Sequence, residues 1–223
     1  GSTFANDLLV SYSLQTIVPK GGLLRKKKEN FKKFASWVMF SRDNTYSLHD
    51  LAIYRWTDPK LLDRLLKHAL NCNVQNLKMD IFYGFRTNFE FLPLIFCSQS
   101  LTSLKLCHGV NLSLAILKKS LHLSEIKSLH LECVKFTASG DHSAEPFSNC
   151  HVLNTLVLED CSLYNGAQVL CISNSTLSSL TISGRGRQLY QIVFSTPNLS
   201  FLQSGVLLVT NSSLNAIFLY LKK

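Results

Sequence analysis

Aliphatic residues recur along this chain in the spacing L-x-x-L-x-L. The pattern occurs at Leu48-Leu51-Ile53, Val74-Leu77-Met79, Leu101-Leu104-Leu106, Ile126-Leu129-Leu131, Leu153-Leu156-Leu158 and Leu177-Leu180-Ile182. Successive first positions are 26, 27, 25, 27 and 24 residues apart, a step too regular to arise from leucine content alone. Two weaker copies follow, Leu199-Leu202-Ser204 after 22 residues and Leu214-Ile217-Leu219 after 15. In a strand, alternate side chains share a face. The fourth and sixth positions of each copy therefore face an interior, and the third, fifth and seventh face out. One copy cannot bury its apolar face alone, whereas copies stacked in parallel bury a continuous ladder.

This is the plan of a leucine-rich-repeat solenoid, of α/β class, with parallel strands on the concave face and helices and irregular turns on the convex face. It spans residues 46–223 in about seven to eight units. The copy at Leu153 extends to Cys161 and Leu163, where a small cysteine can turn the chain inward and donate weakly to backbone carbonyls. Cys133 and Cys107 fall one and two places early in their units, which reads as degeneracy. Of the returning segments, Asp58-Pro59 opens a predicted helix, with Asp58 as N-cap and Pro59 at the first helical position. Leu61, Leu62, Leu65, Leu66, Ala69 and Leu70 form its stripe, and it ends near Asn71. Leu112–Leu121 is a second amphipathic candidate. Leu92–Phe96, interrupted by Pro93, predicts a turn or brief helical coil, and Thr137–Ser148 a loop insertion. Residues 1–24 show no periodicity, while 25–45 carry a basic amphipathic helix in which Phe31, Phe34 and Val38 share a face that caps the first repeat.

Composition narrows the class further. With 223 residues, 46% of them hydrophobic, the chain can bury a large core without metals or disulfides. No apolar run approaches the roughly 20 residues of a membrane span. Seven cysteines, with no C-x-x-C, suggest a reducing compartment, cytoplasmic or nuclear, rather than a disulfide framework. Four N-x-S/T triplets, at Asn111, Asn174, Asn198 and Asn211, read as chance matches in a chain rich in Asn and Ser. Of the formal net charge of +9, residues 1–36 supply +5, so the basic excess is half a property of the N-terminal segment. The Arg25–Lys28 and Lys32–Lys33 cluster reads as the polar face of the capping helix, against an import signal or RNA contact. Gly184-Arg185-Gly186-Arg187 lacks a P-loop Lys-Ser/Thr and reads as a solvated turn. No G-x-S-x-G, H-E-x-x-H or metal-spaced Cys/His cluster is present, and no catalytic site, metal or cofactor is expected.

The candidate site is the concave face. Its fifth positions run Ala52, Lys78, Lys105, His130, Val157, Thr181 and Gln203, so Lys78, Lys105 and His130 predict a basic column. Asp80, Glu132 and Glu159 flank it at seventh positions. Asn76, Ser103, Ser128, Thr155 and Ser179 line the third with small hydrogen-bonding groups. Such a surface suits an acidic or polar patch on a protein partner.

The ordered blocks also resemble a known family, the plant F-box proteins with leucine-rich repeats and an FBD-like C-terminal region. The matching blocks include Phe34-Ala35-Ser36-Trp37-Val38, Tyr46–Leu51, Asn73–Leu77, Leu92–Phe96 and Ser100–Leu106. They continue through Leu153–Cys161, Ile172–Leu177, Thr196–Leu199 and Ser212–Ala216, covering about residues 31–221. The resemblance implies a substrate receptor of a cullin-RING (SCF-type) ubiquitin ligase, in which an F-box docks the adaptor and the repeats hold the substrate. No Leu-Pro-Asp-like or Lys-Arg-Trp-like F-box segment is visible, so the adaptor is expected as a partner only where the native full-length chain carries one. The alternatives are an F-box-less repeat scaffold and a basic RNA-associated protein, although no RNA-binding sheet signature is present.

Overall fold

The computed structural model describes residues 10–12, 49–54, 59–81, 92–108, 116–117, 120–138, 142–184, 191–205 and 218–221. The proposed capping helix, Asp58 and Arg185–Arg187 lie outside them. A sheet of nine parallel strands runs through the described residues: β1 (Val10–Tyr12), β2 (Asp50–Tyr54), β3 (Asn76–Ile81), β4 (Ser103–His108), β6 (Ser128–Glu132), β9 (Thr155–Glu159), β12 (Ser179–Ser183), β14 (Phe201–Ser204) and β15 (Phe218–Leu221). Seven of them carry the repeats in order, from Leu51 paired with Leu77 to Leu180 paired with Leu202. Every fourth-position residue from Leu51 to Leu202 is at most 3% exposed, and the first positions from Val74 to Leu199 at most 5%. The leucine ladder is the core.

One hydrogen-bond device repeats at each junction. The amides of the second and third positions both donate to the second-position carbonyl of the preceding unit. Gln75 and Asn76 share His49 O, Thr102 and Ser103 share Gln75 O, and the fork continues to Ser200 and Phe201 on Ser178 O. Hydroxyls add to it: Ser100 Oγ donates to Val74 O (3.0 Å), and Thr176 Oγ1 to Leu153 O (3.0 Å). Asn174 is buried, its Nδ2 donating to Cys150 O (2.8 Å) while its Oδ1 accepts from Thr176 N (3.0 Å). That N-x-S/T asparagine is therefore a structural bracket between units.

The return paths differ from unit to unit. Helix α1 (Pro59–Asn71) begins at its proline, and Leu62, Leu65, Leu66 and Ala69 are buried against the ladder. It closes through Asn73 at φ 55°, a left-handed conformation that asparagine tolerates, with Val74 N donating to Ala69 O (3.1 Å). Helix α2 (Leu92–Ile95) is a single short turn, as Pro93 and the length dictate. Beyond it the back of the solenoid is built from strands. β5 (Ile116–Leu117), β7 (Lys135–Thr137) and β10 (Ser162–Tyr164) form one parallel sheet. β8 (Ser143–Ala144), β11 (Val169–Ser173) and β13 (Gln191–Ser195) form another.

Four expectations need revision. Ile116–Leu117 is a strand paired with Lys135–Phe136, not part of a helix over Leu112–Leu121; a short aliphatic run fits either period, and its neighbour β7 decides. The segment Thr137–Ser148 contains the end of β7 and all of β8, so it is not simply a loop. In the last unit Leu219 pairs with Leu202 and Leu221 with Ser204, two residues later than the Leu214-Ile217-Leu219 reading. Alternating aliphatics satisfy both registers, and only the neighbouring strand chooses. Finally, the segment without periodicity supplies β1, whose Val10 pairs with Leu51.

The cysteine turn behaves as its chemistry suggests. Cys161 is buried, with Sγ donating to Leu131 O (3.4 Å) and Glu159 O (3.5 Å). In the preceding unit the same place is held by buried Val134. Cys133 instead shares with Asp160 the left-handed turn just after the concave strand, at φ 57° and 49°. Phe136 and Phe147 fill the space behind, edge to face at 5.7 Å. No helix among the described residues is long and apolar enough to cross a membrane.

Replacing Leu156, fully buried at mid-ladder, by alanine should lower the free energy of unfolding by about 2–5 kcal/mol in urea titrations. Gln203→Ala, on the outward face of the same sheet, should change it by no more than about 0.5 kcal/mol. Equal losses at both positions would contradict the inward–outward assignment.

Candidate concave recognition surface

Parallel pairing in register turns each outward position into a column, with neighbours about 4.8 Å apart. The fifth-position column runs Ala52, Lys78, Lys105, His130, Val157, Thr181, Gln203, each paired with the next. The third-position column runs Asp50, Asn76, Ser103, Ser128, Thr155, Ser179, Phe201. At the seventh position Asp80 pairs with Cys107, and Glu132 with Glu159. All ten residues singled out from the sequence (Asn76, Lys78, Asp80, Ser103, Lys105, Ser128, His130, Glu132, Thr155 and Glu159) lie on β3, β4, β6 and β9, and none is buried.

Local contacts set the electrostatics. Asn76 Nδ2 donates to Asp50 Oδ1 at 2.7 Å, and Thr102 Oγ1 donates to Asn76 Oδ1 at 3.4 Å, so this amide is already engaged between units. His130 Nε2 lies 3.3 Å from Glu159 Oε2 without a well-directed hydrogen bond, and the two form an ion pair only when the ring is protonated. Burial, reinforced by the Lys105 ammonium, holds the His130 pKa below its ordinary value of 6.5 despite Glu159 and Glu132 pulling the other way. The imidazole is therefore neutral at pH 7, and the basic column consists of two lysines and an uncharged ring. Cys107 sits beside them with its thiol pushed up to about 12, first by burial and then by Glu132 against the opposing pull of Lys105. It is a protonated, unreactive group at neutral pH.

Sequence reasoning left several members out, among them Asp50, Cys107 and Phe201. Asp50 occupies the third position of the first unit, Cys107 the seventh position of the third, and Phe201 the third position of the β14 unit. The column rule itself identifies all three. Together the outward charges are Asp50, Asp80, Glu132 and Glu159 against Lys78 and Lys105, which gives a mixed surface with the cations enclosed by carboxylates. Among the described residues no group of three or more His, Cys, Asp or Glu is arranged to hold a metal ion.

An NMR titration should place the His130 ring below the usual 6.5. Lys105→Ala should raise it and Glu159→Gln should lower it further. Because an unfolded His130 takes up its proton first as pH falls below about 6.5, this residue should reduce stability in acid, and His130→Gln should flatten that part of the pH–stability curve.

No family model matches the chain, and no solved structure matches it. An Arabidopsis thaliana protein named as an F-box protein is 31% identical over 180 residues, which is 78% of this chain and 34% of that protein. An F-box/LRR-repeat protein of the same plant is 26% identical over 178 residues, 78% of this chain and 45% of its own length. Another F-box/LRR-repeat protein is 32% identical over 113 residues, 49% of this chain and 21% of its own. The chain thus spans less than half the length of these relatives.

Proposed function

The chain is of the plant F-box/leucine-rich-repeat type across its repeat region, and from that premise we propose that it holds a protein substrate on its concave sheet for an SCF-type ubiquitin ligase. The observation that carries the reading is the in-register concave face, where Lys78, Lys105 and neutral His130 lie between a column of small hydroxyls and amides and a row of carboxylates. A partner acid fits the lysines. Hydroxyl or amide donors on the same partner fit Glu132 and Glu159. Such a mixed surface favours a protein over a nucleic acid, because four outward carboxylates would repel a phosphate backbone. The chain does no chemistry of its own in this reading: it binds, and the ligase adaptor is engaged by an F-box belonging to the full-length protein.

The test uses the native full-length protein, captured from plant extract with the adaptor and substrates measured separately. Lys78→Glu combined with Lys105→Glu should reduce retained substrate by about tenfold or more while leaving adaptor recovery unchanged. Unchanged substrate recovery would remove the concave face as the site. Failure of the unsubstituted protein to recover the adaptor would favour a scaffold without ligase function.

A further inference from the structure

Beyond the charged strands, the concave face changes character. The outward residues of β12 and β14 are Ser179, Thr181, Ser183, Phe201 and Gln203, with Val157 at the boundary on β9, and none of them is charged. Phe201 departs from its own column. Its predecessors there from β3 onward are Asn, Ser, Ser, Thr and Ser, yet it carries a large ring that is 41% exposed. Of the four exposed large hydrophobics among the described residues, Leu94 and Val152 lie off the strands and Tyr164 sits in the back sheet under Lys135 (Nζ 5.5 Å from the ring centroid). Phe201 is the one on an outward position of the nine-stranded sheet. The register also sets Phe218 opposite Phe201 and Tyr220 opposite Gln203.

At the other end, Lys105 differs from Lys78 in its surroundings. Lys78 shares its strand with Asp80 and pairs across from Ala52, next to Asp50. The other outward residues of β4 are Ser103 and the uncharged Cys107 thiol, and across from Lys105 lies neutral His130. Unlike Lys78, Lys105 has no carboxylate on its own strand; its acidic neighbours Asp80 and Glu132 stand on the adjacent strands, Asp80 diagonally across the register. From β4 to β14 there are four strand steps, roughly 19 Å at the usual spacing, which about six residues of extended chain would cover.

Building on the concave-face reading above, we propose that the sheet recognises an extended stretch of a protein partner carrying an acidic side chain and, about six residues away, an apolar one. Lys105 receives the acid and Phe201 the apolar group. The intervening Thr155, Val157 and Thr181 supply a neutral floor across which a backbone can pass.

Panning the protein against a phage-displayed library of random twelve-residue peptides tests this, followed by fluorescence anisotropy with the enriched peptides. The expected result is enrichment of peptides with Asp or Glu five to seven residues from Leu, Ile, Phe or Met. Lys105→Glu and Phe201→Ser should each weaken their binding about tenfold, while Phe201→Leu should retain most of it. Circular dichroism should show all three variants folded, since both positions face outward. Enriched peptides that lack the paired spacing, or no enrichment at all, would overturn the proposal. Peptides sensitive to Lys105→Glu but indifferent to Phe201→Ser would overturn it while leaving the concave face as the binding surface. Binding indifferent to both variants would overturn the concave reading as well.

Discussion

Each unit of this chain has more apolar surface than it can cover by itself. A five-residue strand with two inward aliphatics gains little from folding until another strand lies against it, and the parallel register is what brings Leu129 against Leu104 on one side and Leu156 on the other. At roughly 25 cal/mol per Å² of apolar surface, the burial is significant only when summed over the stack. The stack in turn fixes everything on the opposite face. Because side chains alternate, a ladder of buried fourth and sixth positions compels the third, fifth and seventh to stand in aligned columns.

Alignment by itself would leave backbone groups at the repeat corners without partners, and the forked hydrogen bonds meet that demand. A single carbonyl accepting two amides at each junction draws successive units together at the strand entry. Hydroxyls such as Ser100 and Thr176 tie down neighbouring carbonyls. This explains why Ser, Thr and Asn crowd the positions just before each strand, a composition that on sequence alone looks like loop filler. Asn174 makes the point most clearly: the asparagine of an N-x-S/T triplet read as a chance match is a buried bracket that would be lost if a sugar were attached.

The concave architecture was legible because its signal is repeated, and each rung confirms its neighbours. Position and order of the candidate residues followed from the column rule, including the pairing of Lys78 with Lys105 and of Lys105 with His130. The back of the solenoid was not legible, because segments such as Ile116–Leu117 and Lys135–Thr137 are too short to express a period and take their conformation from the strand beside them. The protonation of His130 was also out of reach. It depends on burial and on Lys105 standing across the register, quantities that a sequence encodes only through the fold. Phe201 was visible as a residue but not as an exception until its column was assembled.

Double-mutant cycles along the ladder test the stack most directly. Leu129→Val with Leu156→Val, adjacent rungs in register, should show a coupling energy of about 0.5 kcal/mol or more in urea unfolding. Leu104→Val with Leu180→Val, three strand steps apart, should be additive to within about 0.5 kcal/mol. Additivity for the adjacent pair, or equal coupling for the distant one, would contradict a ladder of stacked leucines and the columns built upon it.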